Sequence, residues 1–415
     1  MKLKILIFVA VAVMFGWHTE AQNYDTNGDY VQTFAGSAFT GYVDGVGQQT
    51  MFNGPARIVA DSHGNLFVWD SGNYRIREIA PNATVTTFAG GGNQITGVGT
   101  NVSLSSLSAV EMTIDHSDNI WMLAYSSSSV YVYEITSSAL VTRTALSLST
   151  SSFPDGICVD SLGGIYISDN SGERIYRYTN AVLSVFAGSG NSGYADGNGI
   201  FTAFQGPAAL VADAANNIYV WDSGNHLIRR IDQNQNVTTF AGIYQNGLEI
   251  DGVGTNASFG EIKQMYSDHF GNLYLACVDC IRKIDATTNV VTLAGAFNDL
   301  SGYTNGPGNL ARFNGADAIC LTSNTFYVAD GGNQRIRSIT NNPTPQAVTG
   351  ANLGIGTFAG LTITGIVGRA YQIQSSPDLN TWTTRATLLL NSSPYLWIDQ
   401  NPVSGSKFYR ALLLP

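Results

Sequence analysis

Apolar and polar residues alternate along this chain in short runs, and the runs are punctuated by Asp, Gly and Asn. The clearest stretch is Asn65-Leu66-Phe67-Val68-Trp69-Asp70-Ser71-Gly72-Asn73-Tyr74-Arg75-Ile76-Arg77. Alternation with period two marks strands, and Asp-Ser-Gly-Asn tolerates the backbone angles of a tight turn. The stretch therefore predicts strand, turn, strand. The same pattern returns at 217–229 and 325–337. Around the first copy, four strand candidates follow one another at 56–60, 66–69, 75–79 and 84–88. No apolar stripe of helical period is visible.

The turn aspartates Asp70, Asp169, Asp222 and Asp330 are separated by one or two units of about 50 residues, the spacing expected of a repeat. Two weaker copies fill the double gaps, around Asp115-His116-Ser117-Asp118-Asn119-Ile120-Trp121 and Asp268-His269-Phe270-Gly271-Asn272-Leu273-Tyr274. Six repeats of four short strands predict an all-β, six-bladed propeller, in which small sheets cover one another's faces around a ring. The fourth strand ends in Thr87-Phe88-Ala89-Gly90, Val185-Phe186-Ala187-Gly188, Thr239-Phe240-Ala241-Gly242 and Thr292-Leu293-Ala294-Gly295. A further copy, Thr33-Phe34-Ala35-Gly36, precedes the first repeat. It has no blade of its own, so it is expected to complete the sixth and close the ring without an open edge.

Glycine-rich connections enter each repeat, as in Gly41-Tyr42-Val43-Asp44-Gly45 and Phe52-Asn53-Gly54-Pro55, or Gly193-Tyr194-Ala195-Asp196-Gly197 and Phe204-Gln205-Gly206-Pro207. With the hairpins, this pattern resembles the NHL-repeat family in its secreted bacterial form. The resemblance covers about residues 30 to 340, within a propeller domain of 30–345. It implies a propeller used mainly to bind proteins, sugars or other ligands, with some enzymes among proteins of that shape. After Asn341-Asn342-Pro343-Thr344-Pro345, a linker by composition, residues 350–415 are similar to a small β-sandwich-like module that ends many secreted bacterial proteins. The pieces carrying that likeness are Ser376-Pro377-Asp378-Leu379-Asn380-Thr381-Trp382 and Phe408-Tyr409-Arg410. Strands are expected there at 361–366, 371–374, 381–389, 396–399 and 408–413.

Composition adds a compartment and removes some partners. Lys2 and Lys4 precede an apolar run at 5–15 and a small residue, Ala21. That is the pattern of a secretory signal peptide over 1–21, too short to span a bilayer. The net charge is −10 with a pI near 4.8, which disfavours nucleic acid and anionic lipid. A secreted or cell-surface monomer that does not insert into membranes is expected.

The candidate chemistry is sparse. Asp70 with Arg75, Asp169 with Arg174 and Asp330 with Arg335 recur across the hairpin. Recurrence argues for scaffolding, each Asp holding its turn and facing a local Arg. In the fifth copy Cys277 and Cys280 fall at the Asp70 and Arg75 positions. In an oxidising compartment they are expected to form a disulfide in place of the ion pair. As a metal pair they would lack further ligands. Cys158 and Cys320, on first strands of opposite blades, are expected to be buried and unbonded. Trp69 and Trp221 are expected between blades. His63, His116 and His269 sit in turns on the face away from the expected ligand side, and His226 sits in the opposite turn, so no histidine metal centre is predicted.

A unique site is best placed where first strands begin around the central channel. Aligning the copies at Arg57 brings Glu111, Gly156, Ala209, Gln264 and Asp317 into one ring. One step earlier lie Asp155 and Lys263. Arg57, Glu111, Asp155, Lys263 and Asp317 are thus the predicted ligand-binding residues. No catalytic residues, cofactor or metal are assigned. In lactonase-like propellers acidic residues in this region bind calcium, but two cations stand among the carboxylates here. The expected function is a non-catalytic binding or scaffold protein that presents its long-loop face to a protein or carbohydrate. The alternatives are a metal-dependent hydrolase or lyase at the channel mouth, and a structural or adhesion protein of the cell envelope.

Overall fold

The computed structural model describes residues 29–340 except 106, 127, 128, 149–151, 181, 269, 298 and 299. In the tail it describes 353–355, 360–363, 369–376, 380–389, 395–398 and 408–413. The predicted signal peptide and linker lie outside the described residues. No described helix is long and apolar enough to cross a membrane.

Among the described residues of the first region, strands assemble into six antiparallel sheets. Blade one is built from Pro55–Ala60, Leu66–Asp70, Arg75–Ile79 and Thr84–Ala89, in that spatial order. The first strands of blades two to six are Ser108–Ile114, Pro154–Val159, Pro207–Ala212, Gln264–Ser267 and Ala316–Thr322. Each packs on the first strand of the next, and the sixth packs on the first, so these strands line a closed ring. Six apolar clusters occupy the six gaps between neighbouring blades. Trp69 and Trp221 are buried in two of them, as expected. Removing a tryptophan from water stabilises by roughly 5 kcal/mol before entropy is subtracted.

The strand Tyr30–Ala35 pairs antiparallel with Arg335–Thr340, the third strand of blade six. The chain's beginning therefore supplies the outer strand of its last blade, and Val31 fills the core between blades five and six. The incoming connections also protect outer edges. Gly45–Val46 pairs with Thr84–Ala89 of blade one, and the same arrangement recurs in every blade but the third among the described residues.

The hairpin ion pairs correct the expectation. Asp70 does not pair with Arg75, five residues on, but with Arg77, seven on, at 3.0 Å. Asp222–Arg229 at 2.8 Å and Asp330–Arg337 at 2.7 Å repeat this. Arg75 and Arg77 share one face of their strand; Arg75 stands directly opposite Asp70 at the hairpin end, whereas Arg77 lies further down the strand, where its long side chain reaches back to the turn. Arg75 instead lies over the Tyr42 ring. In blade three Tyr176 occupies the Arg77 position, and Asp169 accepts backbone N–H bonds from Phe153 and Gly172.

Among its described residues the tail holds two three-stranded sheets. One contains Leu353–Ile355, Gly360–Ile363 and Tyr395–Ile398; the other contains Ala370–Ser376, Thr383–Leu389 and Phe408–Leu413. Five strands fall at the expected places, and Leu353–Ile355 is additional. Arg410 lies over the Trp382 ring at 4.2 Å, which joins the two sequence pieces that marked this region.

Candidate functional site

The long connections and the Asp70-type turns share one face, because each connection is tied to the turn it passes. Arg77 donates to the carbonyls of Met51 and Val43 and also pairs with Asp44. Arg229 does the same with Ala203, Ala195 and Asp196, the last at 2.5 Å. Arg282 holds Asp251 at 2.9 Å, and Arg337 holds Asn305 at 2.7 Å. Asn73, Asn225 and Asn333 each donate to a loop carbonyl and to the turn aspartate. Asp44, Asp196 and Asp251, with Asn305 at the same place in blade six, are therefore loop anchors. Their repetition in four blades marks scaffold, because each of these blades has the same connection to hold.

The centre of this face differs from blade to blade. Each first strand begins near the connection that enters its blade. In blades one, three and six the ladder shifts register between Pro55 and Arg57, between Pro154 and Gly156, and between Ala316 and Ala318. The extra residues are Ala56, Asp155 and Asp317. This corrects the sequence alignment: Asp317 shares the position of Asp155, and Ala318 takes the place of Arg57. A bulge re-aims the side chain it carries, and periodic spacing alone does not reveal it.

Deeper in the channel, Arg57, Glu111 and Gln264 meet. Arg57 Nε lies 3.2 Å from Glu111 Oε2. Gln264 Nε2 donates to Glu111 Oε1 at 2.9 Å, reaching across from blade five to blade two, and Gln264 Oε1 accepts from the Ile319 N–H at 2.9 Å. Met112 N–H also donates to Glu111 Oε1 at 3.0 Å. Burial pushes the Glu111 carboxyl above the ordinary carboxylate range, against the pull of Arg57. This group is a satisfied plug: it ties opposite sides of the ring together and leaves Glu111 little capacity for anything else.

Nearer the surface stand Asp155, Lys263 and Asp317. Burial raises both aspartates, Arg57 and Lys263 pull them down, and Glu261 opposes that pull. Lys263 Nζ sits 2.5 Å from Glu261 Oε1. Neither aspartate makes a hydrogen bond or a close ion pair among the described residues, in contrast to Asp70, Asp222 and Asp330. Gly331 lets the chain pass close to Asp317, where a Cβ would stand 2.4 Å from Oδ2. Beside Asp155, the rings of Tyr125 and Phe153 stack with centroids 5.1 Å apart. Tyr125 donates to the Pro154 carbonyl at 2.6 Å, and its hydroxyl is raised first by burial and then by the Asp155 charge. The five predicted residues thus converge but divide in two: Arg57 and Glu111 are structural, while Asp155, Lys263 and Asp317 face outward. Sequence reading missed Glu261, Tyr125 and Phe153, whose roles come from packing between blades. Gln264 was in the aligned ring and could have been chosen.

The cysteines also depart from expectation. All four are free and buried. Cys158 and Cys320 lie in separate inter-blade cores, as expected. Cys277 and Cys280 pair directly across the blade-five hairpin, but as thiols. Cys277 Sγ donates to the Leu275 carbonyl and Cys280 Sγ to Glu249 Oε2 at 3.7 Å. The expected disulfide is not formed, and a carboxylate that sequence reading did not consider takes up one thiol. His63 is exposed beside Asp61 and Asp118, and His226 packs edge-on against Trp221. His269 lies outside the described residues.

No protein-family model matches the chain. Over 123 residues, 29% of its length, the chain is 37% identical to NHL repeat-containing protein 2 of Gallus gallus; the match spans 17% of that protein. Its fold is similar to a protein of unknown function from Bacteroides thetaiotaomicron, with TM-score 0.60, 21% identity and coverage of 75% of this chain and 76% of the other. It is also similar to an auxiliary nutrient binding protein from Bacteroides ovatus, with TM-score 0.59, 18% identity and coverage of 75% and 76%. The resemblance to NHL-repeat proteins thus holds in sequence over part of the chain, and at these identities the structural likeness speaks for the fold.

Proposed function

We propose that this chain is a secreted or cell-surface, non-catalytic binding protein. Its long-loop face takes a polar ligand at the channel mouth, with carbohydrate favoured over protein. One observation carries this reading: Asp155 and Asp317, flanking Lys263, are left without hydrogen bonds at the mouth, while the turn aspartates Asp70, Asp222 and Asp330 are each paired with a buried arginine. Buried or half-buried polar groups find partners, and sugar hydroxyls both donate to carboxylates and accept from an ammonium. The stacked Tyr125–Phe153 pair beside Asp155 offers an apolar surface for the faces of a sugar ring. The nutrient binding named for the Bacteroides ovatus protein is compatible with this use of the fold.

The rival reading, a hydrolase or lyase with a channel metal, has weaker support. Calcium asks for six to eight oxygen ligands. Glu111 is committed to Arg57, Gln264 and Met112, and Lys263 stands with the two remaining carboxylates. These residues do not make a calcium set, and no catalytic step is assigned to them.

The test is binding of the purified chain to an array of oligosaccharides, followed by calorimetry on the hits. Asp155→Asn with Asp317→Asn, and Lys263→Ala separately, are expected to weaken binding at least tenfold with the melting temperature retained. If these variants bind every wild-type partner with unchanged affinity, the mouth is not the site. Stoichiometric calcium in the purified protein that is lost on Asp155→Asn would instead revive the metal-dependent reading.

A further inference from the structure

We propose that Glu249, Cys277 and Cys280 form a binding site for a zinc-class divalent metal ion on the long-loop face of blade five. The site is independent of the channel mouth. Blade five departs from its siblings at three positions. In blades one, four and six, Tyr42, Tyr194 and Tyr303 stand two residues before the loop anchors Asp44, Asp196 and Asn305 and stack over Arg77, Arg229 and Arg337. Glu249 occupies that place before Asp251. The Asp70 position, which in blades one, three, four and six holds a fully buried carboxylate, is Cys277. Its cross-strand partner, Arg75 in blade one, is Cys280. Three neighbouring positions thus change together, each to a residue type that ligates metals.

The geometry suits one ion. One ligand atom from each of the three residues lies within 4.8 Å of the others. The Cys280 Sγ–Glu249 Oε2 distance is 3.7 Å. Zinc bonds of about 2.3 Å to sulfur and 2.0–2.2 Å to oxygen, in a tetrahedron, place such ligand atoms roughly 3.5 Å apart. The hairpin closes through only Val278 and Asp279, so both sulfurs leave adjacent strands side by side, and Val278 takes a positive φ of 28° to make the turn. Both thiols are buried and Glu249 is partly exposed, which gives three protein ligands. Arg282 runs beneath the cluster but is held by Asp251, Ser258 and Ile250, so it adds positive charge nearby without competing for the ligand atoms. Uptake of the ion releases the two thiol protons to solvent, because metal-bound sulfur is thiolate.

The experiment uses the full chain, reduced, with free thiols verified by mass, and Co²⁺ as the probe. One equivalent should bind and produce sulfur-to-cobalt charge-transfer absorption, and Zn²⁺ should displace it and bleach the signal. Cys277→Ser and Cys280→Ser should each abolish the band, and Glu249→Gln should weaken binding at least tenfold. Glu249 is half-buried, so its variant reports even if a serine variant fails to fold. Reduced wild-type protein that takes up no stoichiometric Co²⁺, or folded variants that bind it as tightly as wild type, would overturn the site. Because none of these residues lies at the channel mouth, either outcome leaves the oligosaccharide test unaffected.

Discussion

Arg229 Nη1 donates to Asp222 Oδ2 at 2.8 Å with both side chains wholly buried, while the other end of the same guanidinium holds the half-exposed Asp196. One cation therefore bridges a hairpin inside the blade and a connection on its surface. The two halves differ in energetic weight. Arg229→Ala leaves Asp222 buried and uncompensated, with an expected loss of about 3–5 kcal/mol. Asp196→Ala removes a screened partner and should cost at most about 1 kcal/mol. Urea denaturation of both variants checks this, and equal losses would refute the division.

Burial pushes Asp222 up to about 6, against bonds from Asn225, Gln205 and Arg229. Burial likewise pushes Asp330 up to about 6, against Arg337, Asn314 and Asn333. Both folded values lie above the ordinary 3.8, so the fold prefers the neutral acids. Their contribution is fully present below the unfolded value and is lost as pH rises through the folded one. Melting temperature should therefore fall from about pH 4 to about pH 6 and level off above. The double variant Asp222→Asn, Asp330→Asn should flatten that slope. An unchanged slope would show that other groups set it.

Gln264 joins Glu111 to the Ile319 backbone across the channel. Gln264→Leu keeps the volume but leaves the buried Ile319 N–H without its acceptor and takes one of two donors from Glu111 Oε1, at an expected cost of about 1–3 kcal/mol. Oligosaccharide affinity at the mouth should be retained, because the plug lies beneath Asp155 and Asp317. Calorimetric melting and binding on one preparation separate the two effects.

Val31 pairs with Ile339 in the strand that completes blade six. Val31→Pro removes a ladder donor and stiffens the backbone, and should destabilise by roughly 3 kcal/mol. A chain begun at Ser37 would expose the edge of Arg335–Thr340 and should self-associate. Gel filtration of the truncated chain decides: a stable monomer would mean that the closing strand is dispensable.

Gly156 faces the carbonyl of Ala208 on the next blade, where a Cβ would lie 2.3 Å from the oxygen and 2.9 Å from Ser168 Oγ. Gly156→Ala must push blades three and four apart, at about 1–3 kcal/mol. A melting temperature equal to wild type would show that the contact relaxes without cost.

The chain by itself determined the architecture. Period-two alternation fixes strands, Asp-Gly-Asn punctuation fixes turns, and repetition of both fixes the blade, since these depend on neighbours in sequence. The orphan Thr33–Gly36 pattern was legible for the same reason: a strand without a blade needs an edge to cover. Tertiary structure alone decided which charges meet. Arg77 rather than Arg75 reaches Asp70 because the incoming loop holds the Arg77 guanidinium through Met51, Val43 and Asp44, while Arg75 lies over Tyr42. Asp317 takes the position of Asp155 rather than that of Arg57 because the first and second strands of blade six are joined by a shorter hairpin, pairing Ala318 with Ala329 where blade one pairs Arg57 with Trp69, a change that a fixed spacing cannot show. Glu249 joins Cys277 and Cys280, and Gln264 joins Glu111, across gaps of many residues. A closed ring brings distant positions together through packing, and packing leaves no spacing to read along the chain.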